Sequence, residues 1–132
     1  MSNPQNSPRT FGFRFSMADA AVICLAIAAA GGLCRLGNPL WWIVLVVVAH
    51  FFLFCNTFRV RRSFEFFWAG TFLLNAGFWM WRAELYCLPV LAIQLPITAL
   101  VLLAEMRSRR YHGIFAARLN PRLNDYVEGK IL

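Results

Sequence analysis

Charge is scarce in this chain: Asp, Glu, Lys and Arg make up 14% of its 132 residues, where a soluble domain carries about 25%. Catalytic groupings are missing too. No serine lies within the apolar runs to pair with His50, and no two carboxylates share a depth there. The sequence therefore offers no machinery for an enzyme acting alone. The four cysteines, Cys24, Cys34, Cys55 and Cys87, form neither a CxxC pair nor a zinc spacing, which leaves no metal site. Cys24 and Cys55 fall inside apolar runs, where they act as small apolar residues. Cys34 and Cys87 fall near one interface, where free thiols and a disulfide both remain open. No apolar run alternates with polar residues, which excludes a membrane β-barrel.

What is abundant is apolar surface, at 60% of residues, with 16% aromatic. A body this small has too much exterior to bury that much in a core of its own. Lipid resolves the excess, and the expected class is all-α integral membrane. Four apolar runs stand out, at 18–33, 40–58, 64–81 and 86–104. At ~1.5 Å per residue each is roughly 24 to 29 Å long, close to the ~30 Å hydrocarbon thickness. The connections at 35–38, 59–63 and 82–85 are short, and short connections force antiparallel neighbours. The expectation is a four-transmembrane-helix, up-down-up-down bundle over 16–106. It is preceded by a polar leader at 1–15 and followed by a basic tail at 107–132, in which 111–119 suits a short interfacial helix. The Ala-rich first run behind two arginines also fits a cleavable signal peptide. With no secreted domain behind it, an uncut first span is the expectation.

The net charge of +7 is not a nucleic-acid footprint, because its placement follows the spans. Arg9, Arg14, Arg59, Arg61, Arg62, Arg107, Arg109, Arg110, Arg118, Arg122 and Lys130 lie on one side. Only Arg35 and Arg82 lie on the other. This asymmetry puts both termini in the cytoplasm of a multi-pass protein of the plasma (inner) membrane. Trp41, Trp42, Trp79, Trp81 and Tyr86 then form an aromatic belt at the outer interface. A basic inner rim of Arg59, Arg61, Arg62, Arg107, Arg109 and Arg110 faces anionic headgroups. Local signals agree with the boundaries: Ser16 and Asp19 make a capping box, Asn38-Pro39 opens the second run, and Ser63 with Glu65 opens the third. Glu105 and Arg109 are spaced as an i,i+4 pair.

Two features bear on packing. Ala20, Cys24, Ala28 and Gly32 recur every four residues as a small-residue ridge, suited to an ordinary helix contact or to a partner subunit. Pro96 removes a backbone bond in the fourth run and predicts a kink. Five polar side chains fall within the spans. Measured from the outer helix ends, Asn75 lies roughly 9 Å deep, Gln94 roughly 12 Å, His50 and Thr71 roughly 15 Å, and Thr98 roughly 18 Å. Turned inward they form one polar seam, in which a neutral His50 bonds Asn75 or Gln94. No cofactor is expected. Haem ligation by His50 is the alternative, although His112, the only other histidine, lies beyond the membrane. The leading functional reading is a non-catalytic subunit or assembly factor of a larger membrane complex, with lipid, other membrane subunits or further copies of itself as partners. A small homo-oligomeric transporter or channel comes second, and a tetrapyrrole- or metal-binding electron-transfer subunit third.

Overall fold

The computed structural model describes residues 9–130, so residues 1–8 of the expected leader and 131–132 of the tail lie outside the described residues. Four long helices account for most of the chain. They are α1 (Met17–Arg35), α2 (Trp41–Phe52) running on into a π-helical turn (Leu53–Phe58), α3 (Arg62–Trp81) and α4 (Cys87–Met106). Two short helices follow, α5 (Ala116–Leu119) and α6 (Leu123–Val127). There is no strand among the described residues. Met17–Arg35, Trp41–Phe58 and Cys87–Met106 are each long and apolar enough to cross a membrane, the mark of a membrane protein. At 20 residues α3 is as long as any of these, but Arg62, Glu65, Thr71 and Asn75 dilute its apolar character.

The helix ends follow from local chemistry. Ser16 Oγ accepts the Asp19 N–H at 3.3 Å while Asp19 Oδ2 accepts the Ser16 N–H at 2.7 Å, a reciprocal capping box. Asn38 Oδ1 instead accepts the Leu40 N–H at 2.9 Å, and α2 starts at Trp41. At the far end of α2 the chain turns through Arg59 in the left-handed region (φ 50°), and the Val60 N–H closes back on the Phe54 carbonyl at 2.8 Å. α4 runs as one helix through Pro96.

The main core gathers Trp42 and Phe54 from the second helical stretch, Val60, Trp68 and Phe72 from α3 and its approach, and Val90 and Val101 from α4. α1 packs against α2 and stands at the edge, burying only Ala26 and Ala30. Trp42 is drawn into this core at 6% exposure, so of the aromatics expected at the interface Trp41, Trp81 and Tyr86 remain exposed.

A second, smaller core lies beyond the helix ends, in the basic tail; of the short interfacial helix expected over 111–119 only Ala116–Leu119 is helical. Tyr111, Ala116 and Leu123 are buried together against Phe58, Met106 and Tyr126. Asn120 Nδ2 donates to the Arg109 and Tyr111 carbonyls at 3.0 and 2.9 Å, and the Tyr111 hydroxyl donates to the Ile114 carbonyl at 2.7 Å. The last carbonyls of a helix have no donors inside the helix. Here the tail and leader supply them: the Ile114 N–H reaches the Thr57 carbonyl at 2.8 Å and the Arg14 N–H reaches the Asn56 carbonyl at 3.1 Å. Gly113 permits this approach, since a Cβ there would stand 2.4 Å from the Phe58 carbonyl oxygen.

His112 is the pH-sensitive part of this cap. Its ring stacks on Tyr126 at 4.6 Å, Nδ1 donates to the Arg110 carbonyl at 2.8 Å, and its own carbonyl accepts the Gly12 N–H at 2.8 Å. Burial lowers its pKa below the usual 6.5. The bond to Arg110 and the Glu105 carboxylate oppose the shift, whereas Arg59 and Arg9 add to it. The docked tail therefore prefers neutral His112, and an opened tail takes up the proton first as pH falls. Docking stability is complete above about 6.5 and declines below it. Hydrogen exchange at the Ile114 and Gly12 amides, corrected for intrinsic rates, should show protection falling on acidification through that range. Unchanged protection would remove His112 from the account.

Candidate functional site

The polar side chains of α2, α3 and α4 meet at the Thr98 hydroxyl, where the three helices converge. It donates to the Gln94 carbonyl one turn earlier in α4, at 2.9 Å. It accepts the indole N–H of Trp68 from α3 at 2.8 Å and faces His50 Nε2 from α2 at 3.1 Å. His50 Nδ1 lies 2.8 Å from the Val46 carbonyl. A carbonyl only accepts, so Nδ1 carries a proton, and the neutral ring then presents Nε2 as an acceptor. The one Thr98 proton thus has two acceptors within reach, Gln94 O and His50 Nε2. The ring itself is held by stacking on Trp68 at 4.4 Å and by the edge of Phe54 at 6.0 Å.

One turn away, Gln94 Nε2 donates to the Trp68 carbonyl and to Thr71 Oγ1, both at 3.3 Å, and Thr71 Oγ1 donates to the same Trp68 carbonyl at 2.8 Å. Asn75 Nδ2 donates to the Val90 carbonyl at 2.9 Å. His50, Thr71, Gln94 and Thr98 thus form one network, with Asn75 one turn beyond Thr71, bonded to backbone rather than to the histidine. The partners expected for His50 were Asn75 or Gln94; the structure gives it Thr98 and a carbonyl of its own helix. Asn75 Oδ1, Gln94 Oε1 and Trp79 Nε1 are buried without a hydrogen-bond partner among the described residues.

Trp68 is the member that the sequence reading passed over, because it looks apolar. Its signal was positional: it precedes Thr71 by three and Asn75 by seven, on the stripe that those two define. The rim residues behave individually. Arg61 Nε binds Glu105 Oε2 at 3.0 Å, so the carboxylate expected to pair with Arg109 is satisfied by the residue that precedes α3. Arg59 donates to the Thr10 carbonyl at 2.7 Å, while Arg62, Arg107, Arg109 and Arg110 are exposed. On α1 the ridge faces outward: Cys24, Ala28 and Gly32 are exposed and Ala20 is half-buried. All four cysteines are free thiols, and Cys55 Sγ donates to Glu65 Oε1 at 3.2 Å.

Chemically this arrangement ties His50, Trp68, Gln94 and Thr98 of three helices to one another. Axial ligation of a haem by His50 would require one ring nitrogen to abandon its present contact. No cluster of three or more His, Cys, Asp or Glu suited to a metal ion occurs among the described residues. No family model matches the chain, and neither a curated protein nor a solved structure matches it.

Proposed function

We propose that the chain is a four-span antiparallel bundle of the plasma membrane, with both termini in the cytoplasm, that serves as a non-catalytic small subunit or assembly factor of a larger membrane complex. The observation that carries this reading is the commitment of His50. Both ring nitrogens face partners within the bundle, so the one intramembrane base is used for packing rather than chemistry. Membrane spanning by α3 is supported by Phe66, Phe67, Leu73, Leu74 and Phe78, each at least half exposed, a surface that suits lipid and not water. The seat for a partner helix is the outward face of α1, where small residues let another backbone come close.

Two measurements test it. In mild detergent the chain should migrate with a second membrane polypeptide, and Ala28→Leu with Gly32→Leu should release it while the chain keeps its own fold. A solitary, colourless oligomer would overturn the accessory role. For orientation, the exposed thiol of Cys34 should react with an impermeant maleimide from outside intact cells; reaction only after the cells are opened would invert the topology.

A second reading is a homo-oligomeric transporter or channel. It is favoured by the two unpartnered acceptors, Asn75 Oδ1 and Gln94 Oε1, which offer a polar way-point inside the spans. Solute flux in proteoliposomes that is lost in Gln94→Leu would promote it over the first.

A further inference from the structure

Two adjoining cavities lie between α2 and α3. The inner one, about 170 Å³, is a slot walled by Val47, His50, Phe54, Trp68 and Ala69. The outer one, about 760 Å³, is a mouth at the helix ends to which Arg59, Arg61 and Arg62 contribute. Phe51, Cys55 and Glu65 line both, so slot and mouth lie side by side. A dry cavity of about 150 Å³ accommodates a six-carbon ring, so the slot has room for a stretch of hydrocarbon chain.

The charges of the mouth can be paired off. Arg61 is neutralised by Glu105. Arg59 makes a single side-chain hydrogen bond, to a neutral carbonyl, and the Arg62 guanidinium donates to no described residue. Against these two cations stands one carboxylate, Glu65, which accepts a hydrogen bond from the Cys55 thiol. His112 also lines the mouth and is neutral in the docked tail, so one positive charge is left over beside an apolar slot.

We propose that this cleft is a site for one anionic phospholipid, with its phosphodiester between Arg59 and Arg62 and part of one acyl chain in the slot. The match is one of charge and polarity together: a monoanionic headgroup meets a single excess cation, and its tail meets Phe51, Phe54 and Trp68. A zwitterionic lipid fits the slot but brings a cationic group to an already cationic mouth. The leaflet that supplies the lipid follows from the orientation proposed above. Binding in a nanodisc does not depend on that orientation, so the two ideas fail separately.

The test uses the full chain in nanodiscs of mixed phosphatidylglycerol and phosphatidylcholine, followed by detergent washing and mass-spectrometric counting of retained lipid. The wild type should keep one phosphatidylglycerol per chain and no phosphatidylcholine. Arg59→Gln and Arg62→Gln should each weaken retention about fivefold, the effect of one surface cation on an anionic headgroup. Ala69→Phe and Val47→Trp block the slot from opposite walls with every arginine intact, and both should also abolish retention. Elution profiles matching the wild type guard against misfolding, and agreement between two independent blockers guards against a local artefact. Full retention in both blocked variants would overturn the site, since the headgroup alone would then account for binding. So would retention unchanged in both arginine variants, or displacement of the lipid by glycerol phosphate without a tail.

Discussion

Trp68→Ala is expected to destabilise the helix assembly by about 3 kcal/mol, the lower end of the range for removing a large aromatic from a core. The indole is 5% exposed, stacks on His50 and on Phe72 at 5.2 Å, and meets the edge of Phe54 at 5.6 Å. Burial out of water does not supply this energy, because lipid tails are as apolar as the core. What is lost is packing, which leaves a void that the flanking rings cannot fill, and the donor to Thr98. Trp68→Phe keeps the stacking and removes only the N–H, so it should cost about 1 kcal/mol. His50→Leu should cost a similar amount, about 1 kcal/mol, the usual scale of interhelical hydrogen bonds in bilayers. Reversible unfolding in mixed micelles ranks the three variants. Equal losses for Trp68→Ala and His50→Leu would show that polar bonds, not ring packing, hold this junction.

Arg61→Ala should cost about 3 kcal/mol, because it strands a carboxylate that is 1% exposed. The remaining partner, Ser108 Oγ, lies 3.4 Å from Glu105 Oε1, a long contact that cannot stabilise a buried charge alone. Arg61 is itself 45% exposed, so water and headgroups replace part of what it contributes, which keeps the loss at the low end of the range for buried pairs. Removing both charges together, as Arg61→Met with Glu105→Leu, should recover most of the stability, since neither charge is then left desolvated. A double-mutant cycle gives the coupling directly. Coupling near zero would return Arg61 to the lipid-facing rim, alongside Arg107 and Arg109.

Much of this was legible beforehand, for reasons that differ by element. The Ser16–Asp19 cap is a contact between residues three apart, and contacts that local are written in the sequence. The helix extents followed the apolar runs to within a few residues, because lipid-compatible stretches have few ways to satisfy their backbone other than as helices. The contacts that differ from local expectation are made to residues far along the chain. Glu105 has Arg109 at helical spacing, yet it binds Arg61, which lies 44 residues away in sequence. Trp42 sits at a helix start where belts form, yet the core claims it. The ridge of Ala20, Cys24, Ala28 and Gly32 has the period of a packing face, but period does not say against what a helix packs, and α1 turns a different edge toward α2.

The docked tail is the clearest case. Nothing in the composition of 107–130 signals that its peptides complete the carbonyl ends of the π-turn, because that turn arises only once the helix has to end through Arg59. By itself, then, the sequence determined the solvent, the helical class and the approximate extents of the helices, all of which depend on hydrophobicity summed over neighbouring residues. Tertiary structure alone decided which donor meets which acceptor: Thr98 rather than Asn75 or Gln94 for His50, Arg61 rather than Arg109 for Glu105, and Thr57 for Ile114. Those choices depend on the rotation of each helix about its axis, which local periodicity leaves free and which the packing of Trp68, Phe54 and Phe72 selects.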